Sequence, residues 1–397
     1  MSVTMNWQEA RQRVLAAAGQ VSGELRDLAM YIHANPEVGY QEVKASARVA
    51  QIMAEHGFAV ERGVAGLPTA LRAKWQGAQE LAIGFLAEYD SLPGLGHACG
   101  HNLIAAMSAG AAIACKAAEL PARIVLFGTP AEESGGGKVT MTAAGLFDGL
   151  DAAMMVHPSN YSTCGRTSLA MRPFKLRFHG KPAHASGRAE DGINALEAAV
   201  QTYVAINGLR QHLPTDVRIH GIFSHGGSAP NIVPEYAELY YYVRAATMSV
   251  MEEAYRKAVD CARGAALATG ASVEVEQMLT YRERVESPEL GAAYIRNLHE
   301  LGVPTIDPSS IKGVGSSDAG NVSHVAPMIH AYLKLASGDV KGHTHAFAQA
   351  AGTPQALDVM LVGVKALALT AADLVFAPGM LEEVRREFAA RKESAVR

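Results

Sequence analysis

Hydrophobic and polar positions along the chain follow two spacings, which predict a mixture of helices and strands. Residues 7–32 carry apolar side chains at three- and four-residue spacing and predict one helix, which ends at Asn35-Pro36. A second helix is predicted from Lys44 to His56 and a strand from Thr69 to Trp75. Strand-like and helical runs then alternate to about residue 160. This alternation is typical of an α/β protein whose mainly parallel sheet has helices on both faces.

The pattern changes between residues 168 and 284, where the runs follow the order β-α-β-β-α-β. Strands are predicted at 174–179, 217–223, 237–245 and 272–278, and helices at 192–208 and 250–268. This order closes into one compact α+β sandwich. We therefore predict one domain formed by residues 1–167 and 285–397, and an inserted second domain formed by residues 168–284.

Composition narrows the class of protein. With 397 residues, 49% of them hydrophobic, the chain can bury a large core and form about two domains. The net charge is only -4, and no basic cluster is interleaved with aromatic residues, so we expect no nucleic-acid partner. Charged residues interrupt the longest apolar runs, so we expect no membrane span, and the N-terminus lacks the pattern of a signal peptide, which favours a cytoplasmic protein. The interruptions are at Lys116, Asp358, Lys365 and Asp373.

The segment Gly96-His-Ala-Cys-Gly-His-Asn102 carries the first candidate chemistry. It places His97, Cys99 and His101 within five residues, between a strand-like run and an Ala-rich helical run. These are metal-type donors, although on this segment alone a turn with polar side chains is an equally good interpretation. The four cysteines of the chain are too few for a disulfide framework in a protein of this length.

Distant donors favour the metal interpretation. Glu132 and Glu133 end one strand-like run, His157 ends another, and His343 lies in Gly-His-Thr-His-Ala-Phe. Turns that carry glycine or proline follow these predicted strand ends. In an open α/β sheet, sites form outside the carboxyl ends of the strands. On an extended segment adjacent glutamates would point to opposite faces, so one could bind metal while the other faces a water. The alternative for this Glu-Glu pair is a solvated strand end.

Seven motifs in order carry a family resemblance. They are Glu88-Tyr-Asp-Ser-Leu-Pro, Gly-His-Ala-Cys-Gly-His-Asn, Pro-Ala-Glu132-Glu-Ser, Gly-Lys-Pro-Ala-His184-Ala-Ser, Pro-Asn231-Ile-Val-Pro, Gly-Ser-Ser-Asp318-Ala-Gly-Asn and His343-Thr-His-Ala-Phe. With them the chain resembles the co-catalytic metallopeptidases that include aminoacylase, glutamate carboxypeptidase and the plant indoleacetyl-amino-acid hydrolases. Within that family it is similar to the p-aminobenzoyl-glutamate hydrolase and β-alanyl-lysine dipeptidase branch.

The resemblance implies a site with two divalent metal ions per subunit, for which zinc or manganese are the first candidates and cobalt or nickel are also suited. It makes Glu132 the general base and acid. The family's His-x-Asp motif is here Glu88-Tyr-Asp90, so Asp90 is expected to orient a ligand rather than bind metal. His97 and His345 are expected to be neighbours of ligands only. The implied metal ligands are Cys99, His101, Glu133, His157 and His343.

The resemblance makes residues 1–167 and 285–397 the catalytic, metal-binding domain and residues 168–284 a lid or dimerisation domain. It also assigns roles to residues of that inserted domain. It places His184 in the partner subunit's active site, where it would stabilise a developing oxyanion, and it implies a homodimer formed through this domain. Asn231 and Arg244 are implied to hold a substrate carboxylate. The alternatives are a surface histidine for His184 and a cross-strand charge for Arg244.

The expected function is that of a metal-dependent amidohydrolase acting on a small-molecule amide, either an N-acyl or aminobenzoyl amino acid or a dipeptide. One alternative is hydrolytic deamination of an aromatic amine by the same activated water, which would release ammonia instead of an amine and an acid. An alternative from another class is a catalytically inactive protein that keeps the fold for binding or dimerisation.

Overall fold

A computed structural model describes residues 5–396 of the chain. Contacts between Cα atoms divide the chain into two compact units. The first combines the residues up to Thr167 with those from Arg284 onward, and the second is Ser168–Glu283. The strands are β1 (Ala59–Arg62), β2 (Leu71–Trp75), β3 (Ala82–Glu88), β4 (Arg123–Thr129), β5 (Ala152–Ser159), β6 (Ala170–His179), β7 (Arg218–His225), β8 (Tyr236–Ala245), β9 (Ser272–Gln277) and β10 (Met328–Lys334).

The helices of the described residues are α1 (Trp7–Gln20), α2 (Ser22–Ala34), α3 (Val43–Glu55), α4 (His101–Ala117), α5 (Gly137–Ala143), α6 (Ala195–Leu209), α7 (Met248–Thr269), α8 (Pro288–Glu300), α9 (Ala319–Ser323), α10 (His345–Ala350), α11 (Pro354–Phe376) and α12 (Met380–Val396). The single helix predicted over residues 7–32 is wrong, because the chain breaks at Val21 between α1 and α2. Gly19 and Gly23 flank this break, and each glycine costs a helix about 1 kcal/mol relative to alanine.

A six-stranded sheet in the order β1-β2-β4-β3-β5-β10 forms the centre of the first unit. The pairs β4–β3, β3–β5 and β5–β10 are parallel, whereas β1–β2 and β2–β4 are antiparallel. Every residue of β3 is buried, as expected for a strand in the middle of a covered parallel sheet. The predicted α/β class with a mainly parallel sheet is confirmed.

Strand register brings the candidate site together at one edge of this sheet. Glu88, the last residue of β3, pairs with Thr129, the last residue of β4. On the other side of β3, Phe85 pairs with Met154 of β5, and the same register continued by three residues reaches Glu88 and His157. The carboxyl ends of three neighbouring strands therefore deliver side chains to one place.

Helix α4 begins at His101, a residue of that site, and lies within the core. It packs against β3, α2 and α11, and its residues from His101 to Cys115 are all buried. Helix α11 is the one described helix that is long and apolar enough to cross a membrane, but its most apolar part is mostly buried inside the protein. Its Asp373 carboxylate accepts hydrogen bonds from Trp7 and Asn297, each at 2.8 Å, so that polar side chain is satisfied within the core.

The second unit has the predicted order β-α-β-β-α-β, which is confirmed. Its antiparallel sheet has the order β7-β8-β6-β9, with α6 and α7 packed against β6 and β8. The side chains of Asn194 and Thr247 accept hydrogen bonds from backbone N–H groups in the first turns of α6 and α7, which explains where these helices begin. Met171 and Tyr281 pair at the two ends of the unit, each backbone N–H donating to the other's carbonyl, at 2.8 and 2.9 Å.

Candidate metal centre

Glu132 and Glu133 lie in a turn that follows β4, not on an extended segment. Ala131, directly before them, has a left-handed backbone with φ of 57°. The turn directs both carboxylates toward His101, and one oxygen of each lies within 4.8 Å of a ring nitrogen of that residue. The expectation that the two side chains point to opposite faces is therefore wrong, because it assumed an extended backbone.

His101 is the first residue of α4, and Asp90 fixes the orientation of its ring. The Nδ1 atom lies 3.1 Å from Asp90 Oδ1, while Asp90 Oδ2 accepts a hydrogen bond from the Glu133 N–H at 3.0 Å. One carboxylate therefore connects the helix that carries His101 to the turn that carries Glu133. Gly100 allows this approach, because it has a left-handed φ of 73° and a Cβ atom there would lie 2.9 Å from Pro158.

The five histidine, cysteine and glutamate residues expected to bind metal fall into overlapping clusters. Cys99, Glu133 and His343 place one donor atom each within 4.8 Å of the others. His101 and His157 do the same together with Glu88. Glu133 also belongs to the His101 cluster, so it connects the two groups.

His157 and His343 reach the site differently from the prediction. His157 lies inside β5, two residues before its end, and is partly buried. His343 lies in the loop between β10 and α10, with a left-handed φ of 61°, and its N–H donates to the Ala98 carbonyl at 2.9 Å. Its Nε2 atom is 3.7 Å from Glu133 Oε1, although 64% of its side chain is exposed.

The donor atoms fit a pair of divalent ions. His101 Nε2 is buried and forms no hydrogen bond with any part of the chain that the structure describes, so it is available as a ligand. Burial acts to lower the pKa of His101, but Asp90, Glu88 and Glu133 outweigh it and raise that pKa to about 10. Burial raises the pKa of the Cys99 thiol, and the negative charge of Glu133 raises it further. A thiolate at Cys99 therefore needs a cation beside it.

A group of charged side chains beside this site was missed in the sequence. Lys138, at the start of α5, is fully buried, and its Nζ lies 2.7 Å from Glu88 Oε1 and 2.6 Å from Asp318 Oδ1. Burial raises the pKa of Glu132 well above its ordinary value, and the charges of Glu88, Glu133 and Asp318 raise it further. Glu88 ends strand β3, whose other residues are all apolar. This position was the signal in the sequence that could have indicated a role for Glu88.

His97 and His345 lie outside the metal-type clusters found among the described residues. His97 is buried, with its Nε2 3.0 Å from the Ile32 carbonyl oxygen, and burial lowers its pKa to about 3. His345 is exposed at the start of α10.

Three candidate residues lie in the second unit. His184 and Asn231 are exposed on neighbouring segments, where the Ala185 N–H donates to the Asn231 carbonyl at 3.0 Å. Arg244 lies near the far end of β8, above the ring of Tyr242. The eight steps along β8 from Tyr236 to Arg244 span about 26 Å at ~3.3 Å per residue. The structure therefore does not bring Asn231 and Arg244 together within one chain.

Comparisons with known proteins add to this geometry. Residues 171–269 match the model of a peptidase dimerisation domain. The chain is 39% identical over 396 residues to the Xaa-Arg dipeptidase of Mus musculus, covering 95% of this chain and 92% of that one. It is 32% identical over 301 residues to one of the subunits of the p-aminobenzoyl-glutamate hydrolase of Escherichia coli, covering 70% of this chain and 62% of that one.

Solved structures share the fold. An aminobenzoyl-glutamate utilization protein from Klebsiella pneumoniae has a TM-score of 0.73 at 21% identity, over 91% of this chain and 98% of that one. A dinuclear metal-binding peptidase of the M20 family from Bacillus subtilis has a TM-score of 0.65 at 20% identity, over 89% of this chain and 99% of that one. Because a relative at 39% identity spans nearly the whole chain, the protein belongs to the M20 peptidase family and is a hydrolase of the amidohydrolase and dipeptidase type.

Proposed function

We propose that the protein hydrolyses the amide bond of an N-acyl or aminobenzoyl amino acid, or of a dipeptide, with the help of two divalent ions. The observation that carries the proposal is the convergence of Cys99, His101, Glu133, His157 and His343 at one edge of the sheet, next to Glu132. A non-catalytic binding protein would have no need to keep a proton-transfer carboxylate beside five metal-type donors.

The clusters suggest how the ligands are divided between the two ions. Cys99 and His343 would hold one ion, His101 and His157 the other, and Glu133, which belongs to clusters on both sides, would be shared. Mixed thiolate, imidazole and carboxylate donors suit zinc or manganese, and also cobalt or nickel. When bound, the two ions would supply a water of lowered pKa and polarise the amide carbonyl.

The residues of the chain then have separate tasks. Glu132 would accept a proton from the attacking water and deliver it to the leaving nitrogen. Asp90 would keep the His101 ring oriented through Nδ1, as carboxylates commonly do for metal-binding imidazoles. His184 would donate a hydrogen bond to the developing oxyanion.

The candidate residues of the second unit lie in two groups along its sheet. His184 and Asn231 lie at one end of its sheet and Arg244 at the other, so we assign the first two to the active site of the partner subunit. Arg244 would hold the substrate carboxylate, a task suited to a planar guanidinium.

An apolar surface on the second unit supports a homodimer. Strand β7 is an edge strand, and Ile222 and Phe223 on it are 61% and 41% exposed. Val200 and Val204 on α6 are 40% and 62% exposed, and Tyr203 of that helix contacts the Phe223 ring at 5.6 Å between centroids. An exposed apolar edge of this kind is suited to a second copy of the same chain.

A substrate screen tests the proposal. The metal-reconstituted protein would be incubated with Xaa-Arg dipeptides, aminobenzoyl-glutamate and N-acyl amino acids, and the products would be identified by mass spectrometry. We expect an amine and an acid from at least one class, and no product from the Glu132→Gln variant prepared in parallel. Release of ammonia alone would favour deamination, and inactivity of the loaded protein toward every class would contradict the proposal.

A further inference from the structure

Lys138 is a fully buried lysine held between two buried carboxylates. Its Nζ lies 2.6 Å from Asp318 Oδ1 and 2.7 Å from Glu88 Oε1. Both carboxylates are also fully buried. The Lys138 backbone N–H donates to Asp318 Oδ2 at 2.9 Å, so the main chain as well as the side chain is fixed here. Removing an ammonium from water costs several kcal/mol, and such a group persists in a core only where carboxylates compensate its charge.

A third carboxylate belongs to the same cluster. Glu88, Glu132 and Asp318 each place an oxygen within 4.8 Å of the others, and the charge of Lys138 also acts on Glu132. Oxygen ligands that converge in this way are what divalent cations bind in proteins. Here the ammonium of Lys138 contacts two of the three carboxylates. It compensates their negative charge in the position that a divalent cation would otherwise take.

We propose that Lys138 is a built-in cation that fills a third cation position beside the metal centre and excludes a further divalent ion from it. The total number of ions expected per chain rests on the two-ion centre of the proposed function. The expected difference in ion number between a Lys138 variant and wild type does not rest on it. A divalent ion at this position would take Glu132 as a ligand. By excluding that ion, Lys138 preserves the role of Glu132 in proton transfer.

The test replaces the ammonium by an apolar group of similar length, Lys138→Met, and counts bound ions. Metal-free wild type and variant are titrated with Mn²⁺ by calorimetry, and the Mn²⁺ content after dialysis is measured by mass spectrometry. We expect the variant to bind one Mn²⁺ more per chain than wild type. Its residual hydrolysis is expected to pass through a maximum as Mn²⁺ increases, because the added ion captures Glu132.

Two control variants separate this effect from a general loss of a lysine. Lys257→Met removes the exposed partner of Glu253 and is expected to leave the ion count of wild type. Lys138→Met combined with Glu88→Gln and Asp318→Asn removes the ammonium together with the two carboxylates that contact it. This variant is also expected to bind no additional ion.

The result that overturns the proposal is a folded Lys138→Met protein with the wild-type number of ions. A variant that unfolds without Mn²⁺ but folds with it supports the proposal, because the divalent ion then replaces the ammonium. A variant that stays unfolded even in Mn²⁺ overturns the proposal, because the divalent ion then does not replace the ammonium. If wild type binds fewer than two ions, the two-ion function is contradicted, while the comparison between the proteins still decides the role of Lys138.

Discussion

The Glu42 carboxylate holds the backbone N–H of Ala131, with Oε1 2.8 Å from the amide nitrogen. Its other oxygen accepts a hydrogen bond from Thr69 Oγ1, also at 2.8 Å. Ala131 is the left-handed residue directly before Glu132, and this conformation costs a non-glycine residue of order 1 kcal/mol or more. Glu42 is fully buried, so it stabilises the turn that delivers both glutamates of the candidate site.

We expect Glu42→Ala to lower kcat more than it changes KM, because Ala131 loses its acceptor and the turn relaxes. A buried N–H without a partner costs ~1–3 kcal/mol, so thermal stability should also fall. Glu42→Gln retains an acceptor and should recover most of kcat. Glu37→Ala removes a glutamate that accepts from the Lys44 N–H and should lower stability without this loss of kcat. Wild-type kcat in Glu42→Ala would argue against a positioning role.

Removal of metal should abolish hydrolysis, and a divalent ion should restore it. Cys99→Ala and His343→Ala should reduce both the bound metal and the turnover, since each removes a donor from the same cluster. His345→Ala is the matched control, because this exposed histidine lies two residues away and outside the clusters, and it should retain its metal. Full activity in a verified metal-free sample would rule out the mechanism.

The two adjacent glutamates should behave differently. Glu132→Gln should keep its metal while kcat falls at least ~10²-fold, because a proton-transfer group is lost. Glu133→Gln should lose metal, because Glu133 is grouped with Cys99 and His343 as well as with His101. Metal content and kcat measured on the same preparations check this division, and equal loss of metal in both variants would refute it.

His184→Ala should be nearly inactive with its metal intact, because loss of one oxyanion donor typically costs ~10² to 10³ in kcat. His179→Ala, which removes an exposed histidine of the same unit, should retain activity.

Heterodimers test whether His184 acts in the partner's site. Co-expression of His184→Ala with Glu132→Gln should restore activity, since one site of each heterodimer combines an intact Glu132 with an intact His184. Purified heterodimers as inactive as the two parent proteins would show that His184 does not act across the interface.

The sequence predicted the elements of the second unit well because local signals agree there. Strands with alternating burial are separated by helices that begin at residues such as Asn194 and Thr247, which cap them from nearby in the chain. The side chains that the structure groups into metal-type clusters were also named from the sequence, because they lie in short motifs with characteristic residues around them. These features depend on neighbours a few positions away, which one sequence displays directly.

The parts that the sequence did not reveal depend on distant residues. Lys138 contacts Asp318 across 180 positions, and nothing in Gly-Gly-Gly-Lys signals that this lysine is buried. The direction of Glu132 and Glu133 was mispredicted because the left-handed Ala131 is held by Glu42, 89 positions earlier. A backbone that local preference disfavours can be recognised only when the group that stabilises it is known.

The pairing of Met171 with Tyr281 brings the two ends of the second unit together. Residues paired in this way lie about 5.5 Å apart, so the chain enters and leaves the unit at nearly one point. Excision of the unit would leave a gap that a few glycine and serine residues can close. We therefore expect removal of this segment to leave unchanged the order of strands in the sheet that carries His157 and Glu88.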